Sequence, residues 1–150
     1  MPAFIVFGRF LFAVLFIYSG ATKLLGIQAT ADMLTAKVTI PVVIAPYTEQ
    51  IESFAAMPFM QLLAITIGSF EILAGLMIAL NLLARFFAIL LIIFMCFSTF
   101  YLHDFWNQPA PDNAKTLIDA LKNLSLIGAL FIIAGYGRGP RRNDPTYGEV

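Results

Sequence analysis

Four apolar runs constrain this chain more than any motif in it, because a run of about 20 apolar residues is the length an α-helix needs to cross a bilayer. They extend from about Phe4 to Leu25, Phe59 to Leu80, Leu82 to Leu102 and Leu117 to Tyr136. With 60% hydrophobic and 12% charged residues and a mean hydropathy of +0.86, the chain carries too little polar surface to dissolve. The reading is an all-α integral membrane protein, a four-helix bundle with both termini cytoplasmic. At 150 residues one domain is expected, residues 1–137, followed by a basic cytoplasmic tail, 138–150. The first run resembles a signal peptide in position, but it holds Arg9 and outlasts an ordinary hydrophobic region, so it reads as a retained anchor. Gly8, Gly20, Gly68, Gly75 and Gly128 fall inside the runs, where small residues let helix backbones approach closely.

Basic residues set the expected orientation. Arg9, Arg85 after a tight turn at Asn81, Arg138, Arg141 and Arg142 fall on one side of the spans, whereas Asp32, Glu49, Glu52, Asp104 and Asp112 fall on the other with only Lys37 and Lys115. The outer connection from Gly26 to Pro58 is too long and too apolar for a plain loop. Met33, Leu34, Val38, Ile51 and Phe54 alternate with polar residues and Pro41 and Pro46 interrupt them, which predicts two short interfacial helices. They serve either as a cap on the bundle or as a lid or docking surface.

Ionisable residues inside the apolar runs are expensive and mark structure or function. Counted by helical rise, Arg9, Glu71 and Arg85 approach one another near the inner face. That cluster reads as an ion pair or triad setting helix register, with the arginines reaching toward phosphate head groups, or as a proton-accepting Glu71 tuned by its surroundings. A second cluster gathers toward the outer face: Lys23, His103, Asp104, Lys122 and Asn123, with Trp106 beside it. One reading is an interfacial belt. The other is a site for an anion or a polarised oxygen, with His103 moving a proton.

Other chemistries fit poorly. Net charge is zero and the basic residues form no long run, so no nucleic acid partner is expected. The single Cys96 permits neither an intrachain disulfide nor a C-x-x-C pair, and a single His cannot supply bis-histidine haem ligation. No metal site, phosphate-binding glycine loop or Ser/His/Asp arrangement is visible.

Read in order, Gly8-Arg9-Phe10 with Phe16, Ser19-Gly20 and Lys23, Glu71 with Gly75, Arg85 after its turn, His103-Asp104-Phe105-Trp106, and Lys122-Asn123-Leu124 with Gly128 resemble the DoxX family of small four-span bacterial membrane proteins. The chain departs from that pattern in its longer, Pro-containing first outer loop. The resemblance implies an inner (cytoplasmic) membrane protein associated with sulfur and quinone redox chemistry. The archetype is similar to a subunit of a thiosulfate:quinone oxidoreductase, and other relatives are linked to oxidative-stress complexes. It carries over Arg9, Lys23, Glu71, Arg85, His103, Trp106, Lys122 and Asn123 as the matching positions.

The leading expectation is a quinone-linked component of a membrane redox system, with nothing covalently bound. Lys23, His103, Trp106, Lys122 and Asn123 would hold the quinone, Glu71 and His103 would handle protons, and Arg9, Glu71 and Arg85 would form the structural ion cluster. Two alternatives stand beside it: a non-catalytic anchor or interaction subunit of a larger oxidoreductase complex, and a small-solute transporter.

Overall fold

The computed structural model describes residues 2–136, all helices and connections with no strand among them. The expected tail, 138–150, with Arg138, Arg141 and Arg142, lies outside the described residues. In chain order the helices are α1 (Pro2–Leu25), α2 (Ile27–Lys37), α3 (Ala45–Ala55), α4 (Phe59–Ala79), α5 (Ala84–Leu102) and α6 (Asp112–Tyr136), with one 3₁₀ turn at Phe105–Asn107. Helices α1, α4, α5 and α6 are long and apolar enough to cross a membrane, and the chain is a multi-pass membrane protein. Helices α2 and α3 are the two short helices expected in the first connection.

Burial is inverted relative to a protein dissolved in water. Ala64, Ala74 and Ala88 have no exposed surface, while Phe4, Phe54 and Leu25 are exposed. Lipid tails are as apolar as Leu, so the interior gains little by collecting large side chains; small residues bring backbones together and most large ones face the acyl chains, although Ile78, Leu91 and Leu130 are fully buried. Among the described residues, contacts gather into two compact units, Leu15–Leu73 and residues 2–14 with 74–136.

In the first unit, Pro46 stands at the start of α3, where a missing N–H costs nothing. Glu52 Oε1 accepts the Phe59 N–H at 2.6 Å and so satisfies one of the orphan donors opening α4. Gln61 Nε2 donates to Gln28 Oε1 at 2.6 Å, tying α4 to α2.

In the second unit, α5 packs along α6, and α6 also packs against the 3₁₀ turn. Helix α4 ends at the tight turn expected at Asn81. The Leu82 N–H returns to the Met77 carbonyl at 2.8 Å and the Asn81 N–H to Ile78 at 3.2 Å, a Schellman closure that needs a left-handed residue. Asn81 supplies it with φ 57°, a conformation Asn tolerates better than most side chains. Helix α6 starts at Asp112 rather than Leu117. Its first turn is polar, so hydropathy misses it, but an acidic residue there meets the positive end of the helix dipole.

Candidate functional site

The most buried carboxylate among the described residues, Glu71, sits at a close helix crossing. A Cβ added to Gly68 would lie 3.0 Å from the Gly20 carbonyl oxygen and 3.0 Å from Leu24 Cγ; one added to Gly20 would lie 2.8 Å from Ile72 Cγ1 and would collide with the Gly68 carbonyl oxygen. The pairings of Gly20 with Ile72 and Leu24 with Gly68 run in opposite senses, so α1 and α4 cross antiparallel here. Only glycine permits this approach. Helical side chains lean toward their own N-terminus, so Lys23 and Glu71, each one turn beyond the glycine contact, lean toward each other.

They meet. Lys23 Nζ lies 3.0 Å from Glu71 Oε1 and 2.8 Å from Oε2, and 2.6 Å from Ser19 Oγ one turn back on α1. Three acceptors match the three donors of an ammonium. Glu71 is 4% exposed, so its charge is stabilised by this ammonium rather than by water.

The expected inner cluster of Arg9, Glu71 and Arg85 therefore has different partners. Glu71 is taken by Lys23, which the spacing had placed in the outer cluster. Arg9 Nη1 donates to the Asn81 side-chain oxygen at the α4 turn. Arg85 is exposed, and its Nη2 donates at 3.1 Å to the Gly135 carbonyl, one of the orphan acceptors at the end of α6. Counting rise along a helix gives depth but not the direction a side chain faces, and direction chose these partners.

Around the junction of α5 and α6 the outer residues take separate partners. His103 caps α5, its N–H returning to the Thr99 carbonyl at 3.1 Å. Asn123 Nδ2 donates to Thr99 Oγ1 at 3.0 Å, which fixes α6 one turn from His103. Lys122 donates to Asp119 Oδ1 at 2.9 Å. Gln108 Nε2 reaches Asp104 Oδ1 at 3.3 Å. Trp106, half-exposed, packs on Phe100 at 5.5 Å and Phe105 at 5.0 Å between ring centroids, and Phe100 continues to Tyr101 at 5.3 Å.

Sequence reasoning did not assign Ser19, Thr99 or Asn81 their parts. The i,i+4 spacing of Ser19 and Lys23 was a usable signal; nothing local announces Thr99 or Asn81 as partners. Among the described residues, no group of three or more His, Cys, Asp or Glu side chains is placed to hold a metal ion.

The DoxX family model matches residues 4–104, that is, α1 through the end of α5 and His103-Asp104, with α6 outside the matched segment. No curated protein and no solved structure matches the chain.

Proposed function

The chain belongs to the DoxX family, and on that premise we propose that it is a quinone-linked component of a membrane redox system, seated in the bacterial inner membrane with both termini cytoplasmic. The carrying observation is the aromatic surface at the end of α5. Trp106 and Phe100 are both more than half exposed, with their rings 5.5 Å apart and tilted by 40° on either side of His103 in the sequence, and a flat lipophilic ring is the ligand such a surface suits. Lys122 and Asn123 lie about three turns into α6, the helix packed along α5. A quinone supplies two-electron, two-proton chemistry when bound.

In this reading the quinone ring packs on Trp106, and His103 and Lys122 hydrogen-bond its oxygens, with His103 the group that passes protons to and from the ring. Asn123 positions α6 through Thr99. Lys23 contributes no contact to the quinone, because its three donors are already used by Ser19 and Glu71. Glu71 takes the structural half of its two expected roles and sets the register of α1 on α4.

Trp106 is the chain's one tryptophan, so its fluorescence reports on this surface directly. Titrating the purified protein with a short-chain quinone should quench Trp106 saturably, and His103→Leu should weaken apparent affinity about tenfold, the worth of a hydrogen bond to a charged or polarised group. Non-saturating collisional quenching, or an unchanged midpoint in His103→Leu, refutes the assignment. The interaction-subunit reading would then gain, drawing on Val42, Val43 and Phe54, which project from the α2–α3 connection and α3.

A further inference from the structure

Arg9 is left with an unmet electrostatic need. The residue is 8% exposed, its Nη1 donates to the neutral Asn81 side chain, and its Nε–H is buried with no acceptor among the described residues. A hydrogen bond to an amide does not neutralise a guanidinium. Both deficits are costly where water is scarce.

A cavity of about 360 Å³ opens beside it, walled by Ile5, Gly8 and Phe12 of α1 and Ala129, Ile132 and Tyr136 of α6. It lies at the end where α1 begins and α6 finishes, and apart from Arg9 its walls are almost wholly apolar. Gly8 explains part of the room. A Cβ there would meet nothing within 4 Å, so this glycine serves no close helix contact, in contrast to Gly20 and Gly68. The volume sits near the lower limit of roughly 300–1,000 Å³ for small-molecule pockets, enough for one chain and not for two.

We propose that this groove binds an anionic lipid of the surrounding bilayer, one acyl chain lying between α1 and α6 and a head-group oxyanion resting on Arg9. The planar guanidinium offers five donors in a fork that matches phosphate oxygens, and the buried Nε–H is among those still unused. Arg9 lies seven residues beyond Pro2, about 10 Å along the helix; a head-group layer is about 5–8 Å deep, and a long side chain that leans toward the N-terminus covers the difference back to the glycerol and phosphate level. A neutral amphiphile would satisfy the N–H and leave the cation uncompensated. Charge selects the occupant.

Native mass spectrometry of the delipidated full chain in detergent tests this, with phosphatidylglycerol and phosphatidylcholine of identical acyl chains as probes. The wild type should retain phosphatidylglycerol over phosphatidylcholine by about tenfold or more, the worth of one charge-assisted contact. Arg9→Gln should bring that ratio to near one, whereas Arg9→Lys should keep a preference. Gly8→Leu fills the groove from an open position, so it should lower phosphatidylglycerol occupancy with the Arg9 charge intact. Equal retention of the two lipids by the wild type, or wild-type occupancy in Gly8→Leu, overturns the proposal. So does displacement of phosphatidylglycerol by equimolar decylubiquinone, which would assign the groove to a neutral ring. Should Arg9→Gln not insert, Gly8→Leu and Arg9→Lys decide alone.

Discussion

Replacing Lys23 by Met removes the ammonium that satisfies Glu71 while keeping most of the aliphatic stem, so the variant isolates the buried charge pair. Three hydrogen bonds are lost at once, at 2.6, 2.8 and 3.0 Å. The Glu71 side chain is only 5% exposed, so water cannot replace them. Removing one partner of a buried pair costs about 3–5 kcal/mol, chiefly from the stranded charge. Glu71→Gln should be milder, at about 1.5–3 kcal/mol: an amide oxygen still accepts from Lys23, whose side chain is 21% exposed and keeps some access to water. The double variant strands neither charge and should fall short of the summed losses by about 1–3 kcal/mol. Reversible unfolding of the purified protein in mixed micelles, driven by a denaturing detergent, measures all three. Neutral hydrogen bonds between membrane helices average about 0.6 kcal/mol in coupling, so this ion pair should stand clearly above them. Additivity within about 0.5 kcal/mol, or a Lys23→Met loss no larger than that of Glu71→Gln, would refute the account.

The glycine crossing makes a contrasting pair of predictions in the same unfolding assay. Gly20→Ala forces a methyl against the Gly68 carbonyl and Ile72 and should cost about 1–3 kcal/mol by overpacking, whereas Gly8→Ala meets open space and should be neutral or slightly stabilising. Asn123→Ala frees α6 from Thr99 and should cost about 0.5–1.5 kcal/mol; Thr99→Val should cost a similar amount, and the two should not add, since they remove one bond from either side.

Much of the architecture was legible because it is local. The lengths of the apolar runs mark α1, α4, α5 and α6; Asn81 marks the tight turn; Pro46 marks the start of α3. Each depends on a short stretch of chain and its solvent. The start of α6 was not legible, because the polar turn at Asp112 is helical by backbone geometry and dipole rather than by hydropathy. The Lys122–Asp119 bond follows from i,i+3 spacing along one helix, whereas nothing local announces that Asn123 reaches Thr99 on α5.

Partner choice was decided by tertiary structure. Lys23, Glu71, Arg9 and Arg85 could be recognised in the sequence as charges needing compensation, and their approximate depth followed from helical rise. Which charge met which depended on rotation about each helix axis and on how closely two backbones approach. At Gly20 and Gly68 the helices come near enough for a lysine leaning one way and a glutamate leaning the other to share three short hydrogen bonds. Hydropathy is a property summed along one segment, whereas electrostatic attraction and hydrogen bonding fall off within a few ångströms between segments. The first was written in the amino-acid order, and the second came into being only when the helices packed.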